Sequence, residues 1–298
     1  MTRSLTLGPI LFHWPAEQKL DFYARIADEA PVDTVYLGEV ICSKRSPFFE
    51  QHYDEVAERL QRGGKKVVFS SLTEVVLKRE RKAIEGFCEL DDHEIEINNT
   101  SALLSMNGKA HRVGPLMNVY NEMTMAYLAK GGATHFCLPV ELPGTSAKLL
   151  ADKAAELGAG VELQVYGRAS LAVSARCYHA RAHARTKDNC QFVCEDDPDG
   201  MPLKTLDGKP FLAVNGIQTL SQSYLNYLTD LPELMAAGIS HYRLSPHTHD
   251  MVAIAQIFRD VLDDKVSSEE ADVRLSVVTG SLPFSNGFWH GKAGHLRV

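Results

Sequence analysis

Eight short apolar runs recur along this chain, and each is followed by an amphipathic segment with helical periodicity. Parallel strands need a crossover connection between them, and a helix is the usual one. Eight such units in succession predict a (β/α)8 barrel, in which the sheet closes on itself and leaves no edge. An open doubly wound sheet is the alternative, but the glycine-rich phosphate-binding turns that mark many such folds are absent from the sequence. We therefore expect an α/β fold of the TIM-barrel type.

The predicted elements alternate along the chain. The predicted strands are 5–10, 34–40, 66–70, 94–97, 113–119, 135–140, 161–166 and 241–244. The predicted helices are 16–29, 47–61, 72–87, 100–106, 120–130, 146–157, 221–237 and 251–262. Ser71 and Glu74 have the spacing of a capping box, which predicts that the third helix begins there.

An insertion interrupts this alternation between the seventh and eighth predicted strands. Residues 167–216 form about fifty extra positions there, and long strand-to-helix loops of barrels usually carry function. Residues 268–298 fit no barrel unit and end in an aromatic, glycine-rich stretch. We expect a single domain over 1–298, with 167–216 as the insertion and 268–298 as a C-terminal tail that packs on the barrel.

The charge and composition restrict the classes of partner. The chain has 31 Lys and Arg against 38 Asp and Glu, which gives a formal net charge of −7. This acidic balance argues against nucleic acid as a partner, because phosphate binding needs clustered basic side chains. No run approaches the roughly 18 apolar residues of a membrane span, and the N-terminus has no signal-peptide pattern. We expect a cytoplasmic protein whose six cysteines are reduced.

Four of these cysteines are candidate metal ligands. Cys177, Cys190 and Cys194 lie in the insertion with the spacing C-x12-C-x3-C, and Cys42 directly follows the second predicted strand. In a barrel, the insertion and Cys42 both emerge at the carboxyl-terminal mouth, where four thiolates are expected to meet. Such a set binds either a tetrahedral zinc ion or a [4Fe–4S] cluster. One short pair with two distant cysteines suits a cluster better.

The other two cysteines have a different environment. Cys88 and Cys137 lie within apolar periodic segments, so we expect them to be buried packing residues. The insertion cysteines instead neighbour charged and polar residues, which is not the pattern of core filling.

A basic stretch surrounds the first insertion cysteine. Its members are Arg176, His179, Arg181, His183, Arg185 and Lys187. These cations would lower the cost of assembling an anionic cluster, and Arg176, Arg181 and Arg185 would alternatively hold an anionic substrate. A solvated basic loop is the remaining interpretation.

Polar residues at predicted strand ends are candidates for catalysis or ligand binding. Glu39 and His247 are the candidate acid or base groups, and Asn118 is a candidate substrate ligand. Asn98 and Glu141 belong to the same class. Asparagine also caps helices, which is the alternative role of Asn98 and Asn118, and after the eighth strand the alternative is that Ser245, Thr248 or Asp250 caps the next helix.

The sequence resembles a known family at several motifs. These are GEVICSKR at 38–45, GPLMNVYN at 114–121, SARC at 174–177, the cysteine trio, LSP at 244–246 and NGFWHG at 286–291. On these motifs the chain is similar to the UbiV branch of the collagenase-like peptidase superfamily, the unclassified U-type peptidases. The similarity runs almost end to end.

This resemblance implies a [4Fe–4S] protein that forms a heterodimer with a related UbiU-like subunit. Together they would hydroxylate quinone precursors of ubiquinone without molecular oxygen, so this chain would be a subunit of a hydroxylase. The implied cluster ligands are Cys42, Cys177, Cys190 and Cys194. Peptidase activity is not implied for this branch.

Two other functions are weighed against this one. A peptidase would use residues such as His247, His249 and Glu39. A structural zinc protein would use the four thiolates to hold a scaffold.

Overall fold

A closed parallel barrel forms the centre of a computed structural model, which describes residues 3–90, 92–280 and 282–298. The strands are β1 (Ser4–Leu7), β2 (Thr34–Leu37), β3 (Lys66–Ser70), β4 (Glu94–Ile97), β5 (His111–Val113), β6 (Ala133–Cys137), β7 (Gly160–Val173), β8 (Met201–Lys204), β9 (Pro210–Asn215), β10 (Gln218–Asn226), β11 (His241–Leu244) and β12 (Phe284–Ser285). Strands β1 to β7 follow one another in parallel, and β11 pairs with both β1 and β7. The predicted eight-stranded barrel is confirmed.

Helices connect these strands around the outside. They are α1 (Ala16–Glu29), α2 (Tyr53–Arg62), α3 (Lys78–Phe87), α4 (Glu122–Lys130), α5 (Gly144–Glu156), α6 (Tyr178–Ala182), α7 (Leu231–Ala236), α8 (Met251–Leu262) and α9 (Ser268–Thr279). In α1, the side chains of Tyr23, Ile26 and Ala27 are buried, which is the spacing that places one helical face against the sheet. Helix α8 begins where the Asp250 carboxylate accepts the Ala253 backbone N–H at 3.3 Å.

The insertion is built on a strand that leaves the barrel. Strand β7 continues to Val173, and β10 returns antiparallel to it from Gln218. Strands β9 and β8 then extend this small sheet. The insertion is held against the barrel by the Trp14 indole, which donates to the Pro198 carbonyl at 2.7 Å. This sheet therefore stands over the carboxyl-terminal end of the barrel, where β7 emerges.

The C-terminal residues contact both the barrel and the inserted sheet. Helix α9 packs on α8, and β12 pairs in parallel with β10. Asn286 and His290 both reach Asp230, at 3.0 and 2.9 Å, and Trp289 donates to Glu233 at 3.1 Å. These hydrogen bonds fasten the tail to the segment around α7.

The prediction of one long helix over 221–237 is wrong in its first half. Residues up to Asn226 belong to β10, and the helix is limited to Leu231–Ala236. The long extension of β7 provides a hydrogen-bonding partner for this segment, and such a partner is not visible in local periodicity.

Several other boundaries differ from the prediction, among them those of the fifth strand and the third helix. The fifth strand is His111–Val113 rather than 113–119, because Pro115 cannot donate to a sheet ladder and begins a 3-10 turn. The third helix begins at Lys78, not near Ser71. The Glu80 carboxylate accepts the N–H groups of Val76 and Leu77 at 2.8 and 2.9 Å, and it thereby caps the helix in place of Glu74.

Within the described ranges, no helix combines the length and the apolar character needed to cross a membrane.

Candidate metal centre

Four cysteines from distant parts of the sequence line one small cavity. They are Cys42, Cys177, Cys190 and Cys194. The same cavity is lined by Lys44, Arg45, His179, Lys187, Phe192, Val193 and Gly216. Residues after β2 and residues of the insertion therefore build a single site, above the carboxyl-terminal end of the barrel.

A backbone turn holds Cys42 in place. The Glu39 carboxylate accepts the N–H groups of Ile41 and Cys42, both at 3.0 Å. A 3-10 helix, Ser43–Phe48, follows at once, and the Ser43 hydroxyl donates to Glu80 of α3 at 2.6 Å. The loop is thus fastened at both ends, which limits the positions that the Cys42 sulfur can take.

Local structure also positions the insertion cysteines. Cys177 is the N-cap of α6, and its sulfur accepts the Ala180 N–H at 3.4 Å. Between Cys190 and Cys194, the residues Gln191 and Phe192 adopt left-handed backbone conformations with φ of 47° and 54°. Such conformations cost about 1 kcal/mol or more for non-glycine residues. The turn they form brings the last two cysteines to the same cavity.

Cations from the Cys42 loop reach across to the insertion. The Lys44 ammonium lies 3.6 Å from the Cys190 sulfur and donates to the carbonyls of Lys187 and Asp188 at 2.7 and 3.2 Å. Arg45 is only 2% exposed, and its guanidinium donates to the Leu11 carbonyl at 3.0 Å.

Arg45 is also held from the insertion side. It donates to Asn215 Oδ1 at 2.8 Å. Gly216 has φ of +62°, and a Cβ atom there would lie 2.7 Å from the Arg45 guanidinium. Glycine is therefore favoured at this position, both by its backbone conformation and by the space that Arg45 occupies.

Burial and the neighbouring cations act oppositely on the thiols. Burial raises the pKa of Cys42 and Cys194, and the Arg45 guanidinium counteracts that rise for both. Burial also raises the pKa of Cys177, and the Ala180 N–H counteracts it. A metal ion that binds here must displace the thiol protons, and the cations lower the cost of the thiolates that result.

A second cavity, the barrel cavity, lies at the carboxyl-terminal ends of the barrel strands. It has a volume of about 390 Å³. Its lining includes Leu11, Val40, Glu74, Glu96, Asn98, Leu116, Asn118, Glu141, Gln164, Val173 and Arg243.

Buried charges form the floor of the barrel cavity. Arg243 donates to Glu96 at 2.5 Å and to Glu162 at 2.8 Å, and Tyr36 donates to Glu162 at 2.6 Å. The Arg243 guanidinium and the His135 ring hold the pKa of Glu162 well below its usual range, against the effect of burial. These residues were not predicted as functional. The sequence feature that could have identified them is a charged residue at an inward-facing position of a strand whose other residues are apolar.

The chain is similar to a known protein family over most of its length. The model of peptidase family U32 matches residues 21–297. The chain belongs to peptidase family U32. A solved structure described as an uncharacterized B. cereus protein is similar at 12% identity, with a TM-score of 0.44. The match covers 82% of this chain and 61% of that one, so this U32 chain spans less than two thirds of that protein's length.

The predicted acid or base residues of this U32 protein have structural contacts. The Glu39 carboxylate accepts two described hydrogen bonds, and both come from N–H groups of the turn at Ile41 and Cys42. His247 is buried, and its Nε2 accepts the Arg168 N–H at 3.1 Å while its Nδ1 lies 3.0 Å from Asp199. The His247 and Thr248 contacts hold the pKa of Asp199 at about 2 despite burial. Glu39 therefore anchors the turn before Cys42, and His247 joins strand β7 to the loop that contains Asp199.

The predicted substrate ligands of this U32 protein are divided between two places. Arg176 and Arg181 are exposed and Arg185 is half-buried, and the residues described as lining either cavity do not include them. Asn118 lines the barrel cavity, with φ of 56°.

Cys88 and Cys137 lie outside the four-cysteine cavity. Each is 1% exposed, in agreement with the packing role predicted for them.

Proposed function

We propose that this U32 chain is a [4Fe–4S] subunit which, with a UbiU-like partner, hydroxylates ubiquinone precursors without molecular oxygen. The observation that carries the proposal is the convergence of Cys42, Cys177, Cys190 and Cys194 on one cavity. Four thiolates are the usual ligand set of such clusters.

The surroundings of the sulfur atoms fit an anionic group. Backbone or side-chain N–H groups approach Cys177 and Cys190, and Arg45 lies beside Cys194. The three cations Lys44, Arg45 and Lys187 line the cavity, and they offset most of the negative charge of four thiolates. N–H contacts to cluster sulfurs and nearby positive charge both favour the reduced state.

The spacing of the sulfur atoms favours a cluster over zinc. Tetrahedral zinc holds its thiolates about 3.8 Å apart, because each Zn–S bond is about 2.3 Å. Among the described residues, no three of these four sulfur atoms all lie within 4.8 Å of one another. A cubane needs a wider set, since each thiolate binds a different iron.

The residues of this chain would hold and shield the redox group. The four cysteines bind it, Lys44 and Arg45 stabilise added negative charge, and Phe192 covers the cavity by packing on Phe48 with ring centroids 4.7 Å apart. A bound cluster supplies one-electron transfer. With water as the oxygen source, each hydroxylation of the ring releases two electrons and two protons. With an oxygenated metabolite as the source, that donor takes up the electrons instead.

Metal analysis of the full chain after anaerobic purification tests the proposal. We expect about four irons and four sulfides per chain, and their loss when any one ligand is changed to alanine. The matched controls are Cys88→Ala and Cys137→Ala, which should retain iron because these residues lie elsewhere. One zinc per chain, or iron retained in the Cys42→Ala variant, would contradict the proposal.

The hydroxylase step needs a separate test. A ring precursor should be hydroxylated under anaerobic conditions by the chain together with its UbiU-like partner, and not by the Cys194→Ala variant with the same partner. Cleavage of protein substrates by variants without the ligand cysteines would instead support a peptidase.

A further inference from the structure

A group of two imidazoles and one carboxylate lies beside the four-cysteine cavity and takes no part in holding the proposed cluster. His179, His183 and Asp197 each offer one ligand atom, and these three atoms all lie within 4.8 Å of one another. The four cysteine sulfurs, in contrast, include no set of three that is as close. Two imidazoles with one carboxylate are a ligand set for divalent transition-metal ions, with positions left open for water.

The buried histidine of this group approaches the carboxylate out of line for a hydrogen bond. His179 has no exposed side-chain surface, and its Nε2 lies 3.0 Å from Asp197 Oδ2. Even so, neither ring nitrogen of His179 has a hydrogen-bond partner among the described residues. A buried polar group without a partner is unfavourable. A metal ion between the nitrogen and the oxygen would satisfy both.

The separation of these two atoms fits a shared ion. Zinc binds imidazole nitrogen and carboxylate oxygen at about 2.0–2.2 Å. Two ligand atoms of one ion therefore lie roughly 3.0 Å apart at an octahedral angle and roughly 3.4 Å apart at a tetrahedral angle. The 3.0 Å between His179 Nε2 and Asp197 Oδ2 falls at the short end of this range.

The end of helix α6 positions the second imidazole. His179 and His183 are four residues apart, so they lie on the same face of the helix, and their rings stack with centroids 5.7 Å apart. The His183 N–H donates to the Ala180 carbonyl at 3.1 Å, and Ala184 then turns the chain with φ of 55°. His183 is exposed, so an ion bound here remains accessible to solvent on one side.

The three side chains belong to the two segments that carry the insertion cysteines. His179 follows Cys177 by two residues, and Asp197 follows Cys194 by three. His179 also lines the four-cysteine cavity. An ion bound by these side chains would therefore cross-link the start of α6 to the segment after Cys194.

The charges around the group are compatible with a bound cation. The exposed carboxylates of Glu195 and Asp196 are close to it along the chain. Arg45 and Lys187 line the adjacent cavity and act against a further positive charge, whereas four thiolates in the same cavity act in its favour. The ligand set itself supplies one negative charge.

We infer that His179, His183 and Asp197 bind one divalent transition-metal ion, and that this ion fixes the segment of Cys177 to that of Cys194. Imidazole with carboxylate suits zinc and ferrous iron. The inference goes beyond the proposed function and does not depend on it, because none of the four thiolates is a ligand of this ion.

Zinc binding to the anaerobically purified full chain tests the inference. The probe is Zn²⁺, and X-ray absorption at the zinc edge reports its ligands without interference from iron. We expect about one zinc per chain, with nitrogen and oxygen ligands at about 2.0–2.2 Å and no sulfur at about 2.3 Å. No bound zinc, or zinc with sulfur ligands alone, would overturn the inference.

Two variants identify the ligands. His183→Ala removes an exposed ring, and Asp197→Asn keeps the shape of the side chain while it removes the charge. Each should weaken zinc binding by about 100-fold or more, since changing even an outer partner of a ligand costs about 10- to 100-fold. The control is Asp196→Asn, which changes the neighbouring exposed carboxylate and should bind zinc as the wild type does. Zinc binding of wild-type strength in His183→Ala would overturn the inference.

Limited digestion with trypsin tests the link between the two segments. Arg181 and Arg185 are cleavage sites in the loop that the ion would close, and the exposed Arg79 of α3 is a reference site outside it. Zinc should slow cleavage in the loop relative to Arg79 in the wild type, and this effect should be lost in His183→Ala. Equal cleavage of the wild type with and without zinc would refute the link.

The iron and sulfide content is measured on the same samples. Zinc with nitrogen and oxygen ligands in a chain that contains no iron would support this site and refute the proposed function. A full complement of iron and sulfide in a chain that binds no zinc would overturn this inference and leave the proposed function standing.

Discussion

The Lys44 ammonium lies 3.6 Å from the Cys190 sulfur, although 146 residues separate them. The same ammonium donates to two carbonyls just before Cys190. One lysine from the loop after β2 therefore fixes the insertion and places positive charge at a sulfur atom.

Lys44→Met should make the reduction potential of a bound cluster more negative. Reduction adds negative charge, and the variant lacks the cation that stabilises it. The expected change is about 1 kcal/mol or less, since Lys44 is half-buried. A redox titration followed by spin resonance measures the change. Lys148→Met, which disrupts an exposed pair with Asp152, is the control, and equal potentials in both variants would contradict the prediction.

Gly216→Ala should destabilise the centre more than Gly208→Ala does. Both glycines have positive φ, +62° and +82°, so alanine costs about 1 kcal/mol at either position from backbone strain. Only at Gly216 does the new Cβ meet the Arg45 guanidinium, at 2.7 Å, whereas none of the described atoms lies within 4 Å at Gly208. Urea unfolding and the half-life of the bound iron in air should therefore both separate the two variants. Identical behaviour would show that Arg45 has room to move.

Arg243→Met should lower the free energy of unfolding by about 3–5 kcal/mol. The variant removes the guanidinium that pairs with the buried carboxylates of Glu96 and Glu162. The matched control is Arg274→Met, which removes an exposed pair with Glu270 and should cost about 0.5 kcal/mol. Denaturant unfolding of both variants tests this difference. A loss below 1 kcal/mol for Arg243→Met would be inconsistent with a charged barrel floor.

The stability of the protein should fall as the pH is lowered from 6.5 to 4. His13 is 2% exposed, and burial together with Arg45 and Lys19 lowers its pKa from 6.5 to about 4. In this range the unfolded chain takes up a proton that the folded His13 does not, so the folded state loses about 3 kcal/mol from this residue.

His13→Phe should reduce this pH dependence, because phenylalanine has no proton to gain. Unfolding in urea at several pH values measures it. The exposed His295 provides the control variant, His295→Gln, whose pH dependence should match the wild type. An unchanged slope in His13→Phe would show that other buried histidines account for the effect.

Changing Arg176, Arg181 and Arg185 together to glutamine should impair turnover with an anionic oxygen donor while the cluster absorbance is retained. These residues flank Cys177, and the first two are exposed and therefore accessible to such a donor. Unchanged turnover would leave them as a solvated basic loop.

The alternation of strands and helices was readable from the sequence because each period depends on neighbouring residues alone. Helix α1 and strands β3, β4 and β11 have the predicted boundaries. The strand at 218–226 was not readable, because its partner is the extended end of β7 and that pairing is a long-range contact.

The four-cysteine cavity shows the same division. The residue types and the spacing C-x12-C-x3-C marked candidate ligands, since thiol chemistry is a property of the residue itself. The roles of Lys44, Arg45 and Gly216 were decided by the tertiary structure. Charge pairing and packing depend on which side chains meet in space, and only closure of the barrel brings those residues together.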